Sequence, residues 1–459
     1  MVGQLETKHK ATSELARNVA DRLVACAETP ARTELAGGEP GIALALLYAS
    51  EILGEENYRV AGRTLLHNAV RAATERPMVK PGLLNGMAGL VWVLSEYAER
   101  EPRYGLALHT TADQLAGQVI ARGSRRLIGR MRLSQYDLVS GAAGQLVTLV
   151  KAARQLGNRP GERVEEATAQ LTRYLLKSAE IGEDGVPNWL VPPASYSMPF
   201  FRAGFPHGLY NPGMAHGIAG VLAALSAVVD ERPEERAIRR KITALSDWLA
   251  WCRIDDAAGP AWPVLLRADA DTRVPLLDSH DEPGRTAWCH GAPGIADALF
   301  AAATVTGRRG ILDLATDALD RVMRTPEAER RVTSAGLCHG KAGLLAAFSR
   351  AHRWTGASRY LAARDDTARA LGDLADHERL FTPAGTVPGD GAGGDHGLLT
   401  GSAGVLLALL GAVDPSADWD RVLFLTSPRR PARRRPAATA DGHDGGTATA
   451  ARVRLMRRD

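Results

Sequence analysis

The sequence predicts an all-α fold, a double α/α toroid (barrel) of seven helical hairpins whose inner helices open with Gly-x-x-Gly. Three observations lead there. A short glycine motif recurs seven times, an apolar stretch of helical length follows every copy, and charged amphipathic stretches lie between copies. Over 459 residues, 45% hydrophobic and 24% charged positions allow a large core, which excludes a disordered or fibrous chain.

The motif runs Gly38–Gly41 (GEPGIALALL), Gly86–Gly89 (GMAGLVWVL), Gly141–Gly144 (GAAGQLVTLV) and Gly217–Gly220 (GIAGVLAAL). It continues with Gly291–Gly294 (GAPGIADALF), Gly340–Gly343 (GKAGLLAAF) and Gly401–Gly404 (GSAGVLLALL). First glycines are separated by 48, 55, 76, 74, 49 and 61 residues, each interval long enough for a helix, a return helix and two loops. Glycine costs about 1 kcal/mol relative to alanine inside a helix, so the pair belongs at a helix entrance. There, absent side chains let a neighbouring backbone come close. Stretches such as 307–330 and 231–253 read as amphipathic helices for an outer ring. An open solenoid is the competing architecture, and the irregular spacing argues against it.

The two longest intervals hold Pro, Gly and aromatic residues, and an elaborated loop around 182–214 is expected over one mouth of the ring. Residues 1–426 read as a single toroid domain and 427–459 as a disordered basic tail. Nine arginines against three aspartates between 429 and 459 give that tail +6. The whole chain carries +4, which leaves −2 on the first 428 residues and no basic surface for nucleic acid. Four cysteines are too few for a disulfide framework and fit a reducing compartment. With no apolar leader and no apolar run long enough to span a bilayer, the expected location is cytoplasmic.

If the glycine pairs are equivalent, the residues just before them share one end of the ring. Repeat four reads Ala215-His216-Gly217, repeat five Trp288-Cys289-His290-Gly291 and repeat six Leu337-Cys338-His339-Gly340. Two thiols and two imidazoles thus reach one rim from adjacent hairpins, a donor set suited to a soft metal ion such as Zn2+. The plainer alternative makes Cys289 and Cys338 small buried hydrophobes at helix starts. His216 shares the frame without a cysteine and is a candidate proton donor or acceptor. Asp137, four residues before Gly141, is a candidate for orienting an imidazole, with a helix cap as its structural alternative. Arg285 is a candidate for neutralising an oxyanion; Asp395 and His396 are weaker candidates ahead of repeat seven. None of the glycine motifs has the Lys-Ser/Thr ending of a phosphate-binding loop, so no nucleotide is expected.

YDLVSGAAG, NPGMAHGIAGV, RTAWCHGAPG and GLCHGKAG, in this order on seven Gly-x-x-Gly repeats, closely resemble the lanthionine synthetase C-like proteins, over about residues 30–415. The resemblance implies a double α/α toroid with zinc held by Cys289, Cys338 and His339, catalytic His216 and Asp137, and a supporting Arg285. One position departs, because the family commonly has Tyr where this chain has His290. Two imidazoles then stand beside two thiolates, and the residues alone leave open which is the ligand; the family pattern favours His339, with His290 as a second acid/base or a group behind the ligands. The implied activity is that of a stand-alone lanthipeptide cyclase, adding cysteine thiols of a dehydrated precursor peptide to dehydroalanine or dehydrobutyrine. A separate dehydratase and an exporter are the further partners expected. Alternatives are a relative that adds glutathione to dehydrated proteins, a non-catalytic zinc-containing peptide scaffold, or a glycoside hydrolase using Asp137 with Asp395.

Overall fold

The structure is a computed structural model that describes residues 2–25, 32–126, 132–157, 161–196, 198, 200–278, 281–376 and 395–427. Cys26 and all but the first residue of the basic tail lie outside the described residues.

Every Gly-x-x-Gly motif opens an inner helix. These are Glu39–Leu53, Met87–Arg100, Ala142–Leu156, Ile218–Val228, Ala292–Thr306, Lys341–Thr355 and Ser402–Val413, each with the motif's first glycine as its extended N-cap. Rich in Ala, Leu and Val, they are buried nearly all round. Each packs on the next, and the last packs on the first, so the inner ring is closed. Outer helices Glu56–Glu75, Gly105–Arg126, Glu162–Ser178, Glu235–Trp251, Arg309–Arg324 and Arg359–Asp376 each pack on the inner helix that precedes them, as the amphipathic pattern requires.

The seventh outer helix comes from the other end of the chain. Val2–Ala25 lies on Ser402–Val413, beside the outer helices of repeats one and six, and His9 Nε2 sits 3.1 Å from the Val413 carbonyl oxygen. Reading one hairpin per repeat in chain order left these N-terminal residues without a place. The described chain after Val413 contains only the four-residue helix Arg421–Phe424, too short to return along an inner helix, so the N-terminal helix closes the outer ring.

Seven backbone hydrogen bonds close the rim at the entrances of the inner helices. Ala36 N donates to Leu84 O (2.9 Å), Leu84 N to Val139 O (3.0 Å), Leu138 N to Ala215 O (3.2 Å) and Ala215 N to Cys289 O (3.1 Å). Cys289 N then donates to Cys338 O (3.3 Å), Cys338 N to Leu399 O (2.8 Å) and Leu399 N back to Ala36 O (3.1 Å). With Leu138 standing in beside Val139, the residues involved sit two places before each motif's first glycine. Equivalence of the repeats is therefore a hydrogen-bonded fact of the rim.

The second glycine of each motif explains how the loops come so close. A Cβ there would stand 2.0–2.4 Å from the carbonyl oxygen six residues earlier in all seven repeats. At Gly294 the clash is with Trp288 O at 2.0 Å and with Met214 Cβ of the preceding repeat at 2.7 Å.

Far from the rim, buried charges tie inner helices together. Glu96 meets Lys151 Nζ at 3.0 Å, Arg100 Nη1 at 3.0 Å and the Tyr48 hydroxyl at 2.9 Å, joining repeats one to three. Arg350, 1% exposed at its side chain, pairs with Asp297 at 2.7 Å and Asp420 at 2.9 Å. The long insertions before repeats four and five pair with each other in a small antiparallel sheet of Leu209–Tyr210, Leu266–Ala268 and Pro275–Leu276. Both insertions run directly into the rim loops that carry His216 and Cys289.

Two alanine substitutions separate these roles. Gly294→Ala meets fixed backbone and is expected to cost about 1–3 kcal/mol. Gly117→Ala, inside Gly105–Arg126 with nothing within 4 Å of the added carbon, is expected to stabilise by about 0.5–1 kcal/mol. Chemical denaturation of both variants checks the pair; equal effects would contradict the close-approach account.

Candidate metal centre and active site

The backbone bond from Cys289 N to Cys338 O places two consecutive rim positions side by side, and both are cysteine. Elsewhere the same slot holds Ala36, Leu84, Val139, Ala215 and Leu399, an apolar collar that the two thiols interrupt. Ligand atoms of Cys289, Cys338 and His339 all lie within 4.8 Å of one another, a group that His290 does not join among the described residues. Zinc bonds of about 2.3 Å to sulfur and 2.0–2.1 Å to nitrogen require separations below that limit, and the three remaining donors of a protein site with one open position are sulfur and imidazole of this kind. The donor set fits a zinc ion.

The sulfurs share one hydrogen bond. That bond from Cys338 holds the Cys289 thiol well below its ordinary range against the opposing effect of burial, with further help from His290 and His339. Cys338 is pushed up by the same hydrogen bond, by burial and by the adjacent negative sulfur, while the charge of Arg285 acts to lower it. Arg285 is exposed, and its charge is felt at Cys338.

One repeat further round, His216 Nδ1 lies 2.6 Å from Asp137 Oδ2. Asp137 is fully buried, and its other oxygen accepts the backbone amides of Ser140 (2.7 Å) and Gly141 (2.8 Å) at the entrance of the third inner helix. Cap and imidazole anchor, alternatives in the sequence, are two oxygens of one carboxylate. The half-buried His216 ring faces His290 with centroids 5.9 Å apart. Burial disfavours the charged form of His216, but the Asp137 hydrogen bond and charge, with the negative charge at Cys289, outweigh it and raise the imidazole pKa above 6.5.

Asp395 and His396 stand apart from this group. Asp395 accepts from Gly397 N at 3.0 Å and the Thr400 hydroxyl at 2.5 Å, and His396 Nδ1 lies 3.2 Å from Ser402 Oγ, so both brace the turn into repeat seven. Asp137 and Asp395, engaged in separate turns, do not form the facing carboxylate pair of a glycoside hydrolase. The structure also draws attention to two residues passed over in the sequence. Asn85 and Ser140 occupy the slot immediately before the first glycine, as His216, His290, His339 and Thr400 do, and the signal was the shared register.

Residues 29–424 match the family model described as lanthionine synthetase C-like protein. The chain belongs to that family. Among solved structures, nisin cyclase is similar with a TM-score of 0.73 and 19% identity, over 90% of this chain and 98% of that one. This lanthionine synthetase C-like chain therefore shares its α/α toroid. An unsaturated glucuronyl hydrolase from Streptococcus agalactiae is similar only loosely, with a TM-score of 0.45 and 10% identity over 85% of this chain and 99% of that one.

For this family member the His216–Asp137 pair gives a titration with a fixed sign. Followed by NMR, the His216 imidazole is expected to titrate above 6.5. In Asp137→Asn it should fall to or below that value, because burial stays while the carboxylate charge goes. Since the folded value is raised, stability from the pair is fully present below about pH 6.5 and lost as pH rises through the folded pKa. An unchanged titration in Asp137→Asn would contradict the coupling.

Proposed function

We propose that this protein is a zinc-dependent lanthipeptide cyclase, acting on a dehydrated precursor peptide supplied by a separate dehydratase in the cytoplasm. The observation that carries the reading is the meeting of Cys289, Cys338 and His339 one repeat away from the His216–Asp137 pair. Family membership and the toroid shared with nisin cyclase support it. No described helix is long and apolar enough to cross a membrane. The single-domain reading of residues 1–426 belongs to the same proposal.

Cys289, Cys338 and His339 would hold the zinc, and His290, whose ring lies beside that of His216, would serve as a second acid/base or support the ligands. A zinc ion bound by these residues would supply Lewis acidity that lowers the pKa of an incoming cysteine thiol. The peptide thiolate adds to the β-carbon of a dehydroalanine or dehydrobutyrine, and the alkene pair moves onto the carbonyl as an enolate. His216, held protonated by Asp137, gives its proton to the α-carbon, completing a lanthionine or methyllanthionine thioether. Arg285 adds positive charge at the mouth where negative charge develops. Inner helices that open at the rim contribute the positive ends of their dipoles to the same region.

Two measurements on one set of variants test the reading. Cys289→Ala, Cys338→Ala and His339→Ala are expected to lose zinc, and His290→Ala to keep it. His216→Ala should keep zinc yet lose cyclisation by roughly 100- to 10,000-fold, assayed by thiol alkylation of a peptide carrying dehydroalanine and cysteine. Equal metal loss in the two variants at His290 and His339 would overturn the ligand assignment. Undiminished cyclisation by His216→Ala would overturn its role, and activity confined to added glutathione would move the chain to an intermolecular reaction.

A further inference from the structure

An addition that passes through an enolate needs a hydrogen-bond donor at the carbonyl oxygen as well as an acid at the α-carbon. Ser140 is placed to be that donor. It sits in the rim slot next to that of His216, and both residues are fastened to the same carboxylate, Ser140 N to Asp137 Oδ1 at 2.7 Å and His216 Nδ1 to Asp137 Oδ2 at 2.6 Å. One buried carboxylate thus holds the Ser140 backbone and the His216 imidazole in fixed relation.

The direction of the hydroxyl follows from its neighbour. Asn85, in the same slot of repeat two, donates from Nδ2 to Ser140 Oγ at 2.7 Å. A serine hydroxyl has one proton. With Asn85 occupying it as an acceptor, Ser140 is left with that proton to donate, and none of its hydrogen bonds among the described residues uses it. The other end of the amide, Oδ1, is buried without a hydrogen-bond partner among the described residues and lies where any Cβ on Gly82 would stand. Ser140 itself is only half-buried.

We propose that Ser140 is a further catalytic residue, donating its hydroxyl hydrogen bond to the carbonyl oxygen of the dehydrated residue as the enolate forms, and that Asn85 is a positioning residue that fixes the direction of that donation. This rests on the cyclase reading above. The electron account is unchanged by it. The carbon–sulfur bond forms as the alkene pair moves to oxygen, the enolate pair returns to take the proton of His216, and Ser140 keeps its own proton throughout.

The test uses the full chain with its zinc and a synthetic peptide bearing one dehydroalanine and one cysteine. Ser140→Ala is expected to lower kcat on the order of 100-fold, with KM, zinc content and melting temperature unchanged. Ser140→Thr should restore most of the rate, since Thr400 fills the same slot in repeat seven without disturbing the frame. The isosteric Asn85→Asp turns the donor into an acceptor that captures the Ser140 proton, and should lower kcat to a similar degree while adding nothing to Ser140→Ala. Wild-type kcat in Ser140→Ala, or equal losses in the Ala and Thr variants with a lowered melting temperature, would overturn the inference alone. A wild-type protein that closes no thioether would overturn the cyclase reading and this inference together.

Discussion

The site depends on one constraint, the closure of seven loops into a hydrogen-bonded rim. Each loop donates an amide to its neighbour and accepts one from the other side, and the circle is complete only because the chain's first and last repeats also meet, Leu399 N on Ala36 O at 3.1 Å. Residues far apart in sequence thereby acquire common coordinates. Two places before each first glycine is a collar position; one place before it is polar or glycine throughout, from Gly37 to Thr400. Chemistry at the rim is then a matter of which side chain fills which slot. Cysteine in two consecutive collar slots brings two sulfurs together without any dedicated loop.

The glycines make that closure possible. Side chains on the second glycine of a motif would meet carbonyl oxygen within the same loop, so the loop folds tightly over the helix entrance and presents its amide outward to the next repeat. Buried ion pairs of Glu96 with Lys151 and of Arg350 with Asp297 link inner helices away from the rim, and Asp420 ties the short C-terminal helix to the same Arg350. Charges so deeply buried are weak evidence for added stability, but each needs its partner in place, which makes the packing of adjacent repeats specific.

Most of the architecture was legible because it repeats. Seven glycine pairs with apolar helices between them contain the toroid, and the register before Gly291 and Gly340 contains the meeting of Cys289 with Cys338. The return of residues 2–25 to complete the last pair was not legible, since it is a contact between chain ends and an amphipathic helix does not name its partner. Asp137 was ambiguous in the sequence because capping an amide and anchoring an imidazole ask for the same residue type, and the structure gives one oxygen to each. The two imidazoles beside the thiols were indistinguishable by residue type; both act on Cys289, His339 groups with the two sulfurs within 4.8 Å, and the His290 ring also lies beside that of His216. Asn85 carries no distinctive motif and Ser140 sits unremarked inside YDLVSGAAG; the shared register held the signal, and the closed rim turns it into a slot shared with the histidines.

A metal held by two sulfurs and one imidazole, with room for a substrate thiol, is the core of the proposed cyclase. X-ray absorption at the zinc edge tests this most directly, on the purified protein and again after addition of a cysteine-containing dehydrated peptide made unable to cyclise. Two sulfur and two lighter ligands at rest, becoming three sulfur and one lighter ligand with peptide, is the predicted result. A resting sphere already filled by four protein ligands, unchanged by the peptide, would contradict it.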